Sequence, residues 1–125
     1  MTPDVAWAAG FLDALTSDGR GRIAINSKKS ESPRVVVVLE DREPLAKLER
    51  LFGGKLGNVR IHNQGKPKTV FRWDIRGARA CHMLVEILPG LHLQNKRARA
   101  ALYYSWYDTG TPSLWRRLFT RKRLH

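Results

Sequence analysis

The most restrictive feature of this 125-residue sequence is the alternating segment FRWDIR at positions 71–76. In an extended chain Phe71, Trp73 and Ile75 point to one side, whereas the charged residues between them point to the other. A strand of this kind belongs to a sheet that has one buried face and one face in water. The rest of the chain must therefore supply a layer that covers the apolar face, and the exposed face carries the charge.

The spacing of the apolar residues predicts the other elements. Helical spacing predicts four helices, over residues 5–15, 42–52, 77–88 and 92–107. Alternation and β-branched runs predict four strands, over residues 22–28, 34–40, 56–62 and 69–76. Asp4 is the expected N-cap of the first helix. The order α-β-β-α-β-β-α-α, with one four-stranded antiparallel sheet, predicts an α+β fold over residues 1–108, followed by a basic tail over residues 109–125 that forms a short helix.

The charge balance indicates the class of partner. The chain has 23 Lys and Arg residues against 11 Asp and Glu residues, which gives a net charge of +12. Such an excess is expected of a protein that binds a polyanion, with nucleic acid ahead of an anionic membrane surface. Cys81 is the single cysteine, so neither an internal disulfide nor a cysteine-rich zinc site can form.

No apolar run in the sequence approaches the roughly 20 residues that a membrane-spanning helix needs. We therefore expect a soluble, intracellular protein, in the cytoplasm or in an organelle of a eukaryote, with no membrane partner and no small-molecule substrate. Small residues, among them Ala9, Gly10 and Ala14, leave part of the first helix almost without side chains. A second helix can approach such a surface closely. An ordinary amphipathic helix explains the same pattern.

Five segments, taken in order, resemble the LAGLIDADG homing endonuclease family. They are AAGFLD at 8–13, DGRGRIAI at 18–25, LEDREPLAKLERLFGGKLG at 39–57, FRWDIRG at 71–77 and LPGLHLQNKRARAAL at 88–102. The similarity extends from Trp7 to about Trp106, and the chain holds one copy of the motif. A single motif implies a homodimer, in which the motif helices of two subunits pack at a two-fold axis and two saddle-shaped sheets lie along the major groove. Such a dimer favours a near-palindromic duplex DNA site.

The resemblance assigns residues to both of these surfaces. The dimer interface implied for the motif helix consists of Ala9, Gly10, Asp13 and Ala14. The DNA-contacting residues implied for the strands and their ends are Arg20, Arg22, Asn26, Lys28, Lys29, Arg34, Arg60, His62, Lys66, Lys68, Arg72, Asp74 and Arg76. Arginine can read guanine, asparagine can read adenine and aspartate can accept from cytosine, so this set can specify bases as well as hold phosphate. For any single residue, solvated charge is the competing explanation.

The resemblance also implies a divalent metal, Mg²⁺, held by an acidic residue at the foot of the motif helix. Asp18, followed by Gly19, takes this place if the three residues before it add about one helical turn. An alternative register puts Arg20 at the acidic position and abolishes metal binding there. Gln94 stands where family members often carry a lysine, and Lys96 replaces that lysine only if the helix start is displaced. The expected catalytic residues are therefore Asp18, Gln94 and Lys96, in an atypical active site.

Two functions of different classes follow from this sequence. The first is a metal-dependent, site-specific endonuclease that cuts both strands of duplex DNA. The alternative is a non-catalytic sequence-specific DNA-binding protein, or an RNA-splicing helper, on the same fold, and the irregular stretch over residues 15–20 favours it. A third interpretation, an RNA-binding or membrane-surface module, leaves the alternation of the sheet unexplained.

Overall fold

A computed structural model describes residues 1–26 and 32–105 of the chain. The helices are α1 (Pro3–Ser17), α2 (Arg42–Phe52), α3 (Gly77–Ile87) and α4 (Asn95–Ser105), with a short 3-10 turn at Leu88–Gly90. The strands are β1 (Gly21–Asn26), β2 (Ser32–Leu39), β3 (Lys55–Asn63) and β4 (Lys66–Arg76). The predicted order and the α+β class are confirmed. The basic tail at residues 109–125 lies outside the described residues.

The four strands form one antiparallel sheet in the order β1-β2-β4-β3. The two central strands, β2 and β4, pair from Leu39 with Phe71 to Arg34 with Arg76. Residues 66–70 of β4 pair with β3 alone, so β3 and β4 continue as a hairpin past the end of β2. The hairpin closes at Gln64 and Gly65, which both have positive φ, as a two-residue hairpin turn requires.

All four helices lie against one face of the sheet, and the core lies between the two layers. Trp73 and Ile75 of β4 and Val35 and Val37 of β2 are buried there. Buried helix residues cover them, and the largest are Leu12, Leu45, Leu48, Met83, Leu84, Ile87 and Leu102. Phe71 is only partly buried, but it packs against the same core. The dry face predicted from the segment at 71–76 is therefore confirmed.

The helix ends follow from local side-chain chemistry. Thr2, not Asp4 as predicted, is the N-cap of α1, because its hydroxyl accepts a hydrogen bond from the backbone N–H of Val5 at 3.2 Å. Pro3 begins the helix, where the N–H that proline lacks needs no partner. Asp41 caps α2 in the same way through the N–H of Glu43. Among residues 1–26 and 32–105, no helix is long and apolar enough to cross a bilayer.

Where the chain leaves α2, its backbone packs directly against the core. The carbonyl of Gly53 accepts a hydrogen bond from Nε1 of the buried Trp73 at 2.9 Å. Gly54 has a φ of +91°, and a Cβ there would lie 2.8 Å from the carbonyl oxygen of Asp74. Glycine is required at this position because the backbone conformation and the space both exclude a side chain.

Candidate nucleic-acid interface

The exposed face of the sheet carries many charged side chains. Residues directly opposite in an antiparallel pair share a face, so the register assigns each side chain to one side of the sheet. The polar and charged residues on the side away from the helices are Arg22, Arg34, Lys55, Asn63, Lys66, Lys68, Arg72, Asp74 and Arg76. The four described helices pack on the opposite side, so no helix within residues 1–26 and 32–105 covers this surface.

On the two central strands, at the end where β4 leads into α3, this face carries a cluster of three arginines around one carboxylate. Arg34 donates from Nε to Oδ1 of Asp74 at 3.2 Å and from Nη2 to Oδ2 at 2.7 Å. Arg76 makes a second pair of bonds to the same oxygens, at 3.3 and 3.1 Å. Arg72 adds an ion pair at 3.6 Å. These residues, Arg34, Arg72, Asp74 and Arg76, are called the arginine cluster below.

The carboxylate of this cluster is ionised at neutral pH. Partial burial works to raise the pKa of Asp74, but the hydrogen bonds and charges of Arg34 and Arg76 outweigh it and lower that pKa to about 2. The hydrogen bond from Arg76 in turn raises the pKa of its guanidinium. The cluster therefore holds three positive charges and one negative charge.

An open trough of about 680 Å³ runs beside the cluster, between β3, β4 and the start of α3. The cationic side chains that line it within the described part of the chain are Lys55, Arg72, Arg76 and Arg79. Sequence reasoning missed Lys55 and Arg79. Lys55 lies on the charged face because it pairs with Asp74 of β4, and the sequence of β3 alone does not reveal this pairing. Arg79 belongs to a helix, and its guanidinium reaches the trough because it lies over Gly53.

The ends of the sheet carry further charges. Lys68 forms an ion pair with the exposed Glu40, which lowers the pKa of that carboxyl group. Lys66 lies at the tip of the hairpin, and Arg22 lies exposed on β1. Two residues of the predicted set, Lys28 and Lys29, fall outside the described residues. A third, Asn26, is the last residue of β1.

The register separates two predicted residues from the rest. Arg60 pairs with Thr69 and His62 pairs with Pro67, which puts both on the same side of the sheet as Phe71 and Trp73. They are exposed because the hairpin projects past β2. The expectation that Arg60, His62 and Arg72 line one surface is therefore wrong, since the first two face away from the arginine cluster.

The end of α1 places the predicted metal ligand in an ion pair. Asp18 is the C-cap residue of the helix, and its side chain is 61% exposed. Its Oδ2 lies 3.0 Å from Nε of Arg20. Gly19 between them has a φ of +83°, and the carbonyl of Arg20 accepts from the N–H of Val38 at 2.9 Å. Arg20 thus continues the edge of the sheet while its side chain neutralises Asp18.

The residues of the chain provide only part of a site for Mg²⁺. Asp18 supplies an exposed carboxylate, and carboxylate oxygens are the ligands that Mg²⁺ prefers. Within residues 1–26 and 32–105 no group of three or more His, Cys, Asp or Glu side chains is arranged to hold a metal ion. The donor chemistry fits the ion, but the carboxylate of Asp18 already has Arg20 as its partner.

The segment before α4 is tied to α1 by a buried carboxylate. Asp13 is 6% exposed, and its oxygens accept from the backbone N–H groups of His92, Leu93 and Gln94 at 2.6, 3.2 and 2.9 Å. This places the side-chain amide of Gln94 3.5 Å from the hydroxyl of Ser17, one residue before Asp18. Lys96 lies exposed in the first turn of α4. Of the predicted catalytic residues, Gln94 thus contacts the last turn of α1 through Ser17.

The four residues predicted for the dimer contact are divided between the two sides of α1. Ala9 is fully buried, and a Cβ built on Gly90 would lie 2.8 Å from its side chain. Asp13 is committed to the bonds within its own chain. Gly10 and Ala14 are exposed, and with Ala6 they form a row of small residues spaced four apart. This row, Ala6, Gly10 and Ala14, is the small-residue row of α1.

Neither a family model nor a curated protein matches the sequence. Solved structures do. The homing endonuclease I-CvuI in complex with its target in the presence of 2 mM Ca is 21% identical, with a TM-score of 0.60, over 94% of this chain and 80% of that one. The same enzyme with the I-CreI target in 2 mM Mg, where the DNA was not cleaved, gives 20% identity and a TM-score of 0.63 at the same coverage.

A third structure extends the similarity. The archaeal intron-encoded homing endonuclease I-Vdi141I, complexed with DNA, is 12% identical, with a TM-score of 0.50, over 97% of both chains. At these identities the similarity establishes the fold. The resemblance to LAGLIDADG homing endonucleases is confirmed at that level, over nearly the whole chain.

Proposed function

We propose that this chain, which has the fold of the homing endonucleases, binds duplex DNA in a sequence-selective way through the exposed face of its sheet. The observation that carries the proposal is the arginine cluster with the adjoining trough, a basic surface on the side of the sheet opposite the four described helices. Arginine side chains on a sheet can enter the major groove and read guanine. The solved structures with this fold are DNA complexes.

The proposed assembly is a homodimer on a near-palindromic site. The small-residue row of α1 supports it, because Ala6, Gly10 and Ala14 are exposed and a Cβ built on Gly10 would meet no described atom beyond its chain neighbours and the backbone of its own helix. Two copies of α1 can approach closely along such a row. A two-fold dimer presents the same arginine cluster to each half-site.

The proposed activity is double-strand cleavage that depends on Mg²⁺. Asp18 from each copy would hold the metal, which when bound supplies an activated water and neutralises charge on the phosphate. The side chain of Asp18 is exposed at the end of α1, next to the proposed two-fold axis. The amide of Gln94 lies 3.5 Å from the hydroxyl of Ser17, the residue before Asp18, and can orient a phosphate or a water by hydrogen bonding. Lys96 is an exposed cation in the first turn of α4.

A second candidate function is sequence-selective DNA binding without cleavage. The ion pair between Arg20 and Asp18 favours it, because a guanidinium at 3.0 Å occupies the carboxylate that a metal needs. Gln94, at the place where the family often carries lysine, is neutral and cannot supply the missing cation. On this alternative the sheet recognises DNA in the same way and the end of α1 is inactive.

A randomised duplex library separates the two candidates. The purified protein is incubated with the library with and without Mg²⁺, and cut ends and bound survivors are sequenced together. Recurrent near-palindromic cut sites that need Mg²⁺ are the expected result, lost in Asp18→Asn and strengthened in Arg20→Gln, which frees the carboxylate. Asp4→Asn, an exposed acid at the other end of α1, is the control. Enriched but uncut palindromes in all variants would establish the second candidate, and the absence of any enrichment would reject both.

A further inference from the structure

We propose that Asp74 is a positioning residue, which holds the guanidinium groups of Arg34 and Arg76 in the orientation that reads bases and does not itself contact DNA. The inference rests on the proposed DNA binding and assigns its specificity to particular residues. Sequence reasoning gave Asp74 a direct role as an acceptor from cytosine. The geometry of the arginine cluster favours the indirect role.

The first argument is the depth of Asp74 in the exposed face. It lies on an interior strand, opposite Val36 on one side and Lys55 on the other. Its side chain is 14% exposed, whereas those of Arg34, Arg72 and Arg76 are 27%, 42% and 55% exposed. A base edge that approaches this face meets the arginines before it meets the carboxylate.

The second argument is that the carboxylate is saturated. An ionised carboxylate has about four acceptor positions. Arg34 and Arg76 each donate to both oxygens of Asp74, which fills them. A cytosine amino group would have to displace one of these charge-assisted bonds, which are the stronger kind.

The third argument concerns the N–H donors of the arginines that are not bonded to Asp74. A guanidinium carries five N–H donors in a rigid plane. Arg34 and Arg76 each use Nε and one N–H of Nη2 on Asp74, so the far edge of each group stays available. Two adjacent donors on that edge match the O6 and N7 acceptors of guanine. Asp74 thus fixes one edge of each guanidinium and leaves the other to the DNA.

The fourth argument is electrostatic. Arg34 and Arg76 are directly opposite in the β2–β4 ladder, and like charges in this position repel. The shared carboxylate offsets that repulsion and holds both side chains in one arrangement before DNA arrives. Ordering the side chains in advance lowers the entropy lost on binding.

The decisive comparison is Asp74→Asn with Asp4→Asn. Each removes one negative charge, but Asp4 lies in the first turn of α1, paired with Lys47 and away from the cluster. Sequences selected from the randomised duplex library with wild-type protein supply a best site and its single-base variants, and binding to each is measured for the three proteins. Asp74→Asn is expected to lower, by roughly tenfold, the discrimination between the best site and variants of that site in which a guanine has been replaced by another base. Its binding to unrelated DNA stays equal or tightens, as for Asp4→Asn.

Two results would overturn the proposal. One is unchanged discrimination in Asp74→Asn. The other is a uniform loss of affinity for all sequences that follows a fall in thermal stability, which would mean that Asp74 serves only the fold. A double variant sharpens the distinction, because adding Asp74→Asn to Arg34→Gln should have no further effect at the base that Arg34 reads.

A measurement without DNA separates failure of this inference from failure of the proposed function. Slowly exchanging NMR signals of the Nε–H groups of Arg34 and Arg76 are expected in wild-type protein and in Asp4→Asn, and are expected to disappear in Asp74→Asn. If wild-type protein shows no sequence preference, the DNA function and the recognition role both fall, while these signals still decide whether Asp74 positions the arginines. Signals that persist in Asp74→Asn would refute the positioning itself.

Discussion

Two carboxylates of this chain, Asp13 and Asp74, have distinct tasks because their partners differ. Asp74 is bound by side chains on the exposed face, whereas Asp13 is buried and bound by backbone N–H groups. The three N–H groups on Asp13 belong to consecutive residues about 80 positions later in the chain. This one side chain therefore fixes the start of α4 against α1 and, with it, the distance between Gln94 and the end of α1.

The variant Asp13→Asn tests this role. The amide keeps one acceptor oxygen but turns an NH₂ group toward a backbone donor, so at least one buried N–H loses its partner. We expect the free energy of unfolding to fall by about 2–3 kcal/mol, the cost of losing hydrogen bonds to a charged group. Urea unfolding measures it.

The control is Asp18→Asn, an exposed acid at the end of the same helix. It should change the free energy of unfolding by no more than about 0.5 kcal/mol. Equal effects of the two substitutions would show that the bonds to residues 92–94 do not stabilise the fold.

At the scale of elements, the passage from α2 into β3 sets where the trough lies. Gly53 bonds to Trp73, and Gly54 packs directly on the backbone of β4. β3 therefore begins close against β4, with Lys55 opposite Asp74 and Arg79 over Gly53. The cationic lining of the trough depends on this tight passage.

The pair Gly54→Ala and Gly65→Ala measures that packing. Both glycines have positive φ, +91° and +80°, so both variants bear backbone strain on the order of 1 kcal/mol. A Cβ on Gly65 would meet no described atom beyond its chain neighbours, whereas at Gly54 the new Cβ would meet Asp74 O at 2.8 Å and Trp73 Nε1 at 2.9 Å. We expect Gly54→Ala to cost about 2 kcal/mol more in chemical denaturation, a usual penalty for overpacking. If the two variants lost equal stability, the backbone around Gly54 would be able to accommodate a Cβ at no additional cost in free energy.

At the scale of the whole molecule, the proposed dimer depends on the small-residue row of α1. Gly10→Arg places a long charged side chain in the middle of that row, while the better helix propensity of arginine favours the folded chain by about 0.5–1 kcal/mol. We expect a protein that remains folded but no longer forms a two-chain complex on duplex DNA, as measured by analytical ultracentrifugation.

Ala100→Arg is the matched control, since it adds the same charge at an exposed position of α4. It should keep the mass of the wild-type complex. A two-chain complex with Gly10→Arg would exclude this face of α1 from the dimer.

The sequence by itself determined the features that depend on neighbouring residues. Alternation at 71–76 identified the dry and charged faces of β4, and the periodic leucines predicted α2 over residues 42–52, which are its observed bounds. These signals are local, because strand alternation and helix capping act within a few residues. The element order followed from them, and it is the order that the structure has.

Tertiary structure decided the features that depend on pairing across the chain. The four valines at 35–38 carry no alternation in their sequence, and only their place between β1 and β4 buries Val35 and Val37 while Val36 and Val38 stay half-buried. Register likewise turned Arg60 and His62 away from the arginine cluster and put Lys55 beside it. A shift of one residue reverses every side chain of a strand, so no local pattern in a polar hairpin can fix its face.

The candidate site likewise has features that the sequence predicts and contacts that only the structure shows. The basic character of the sheet was readable from composition and alternation, because charge is a property of each residue. That Asp74 is enclosed by Arg34 and Arg76, that Asp13 holds residues 92–94, and that Arg20 neutralises Asp18 are contacts of side chains in three dimensions. Composition determined that this protein has a charged face, and folding decided which of its charges are already paired and which remain for a partner.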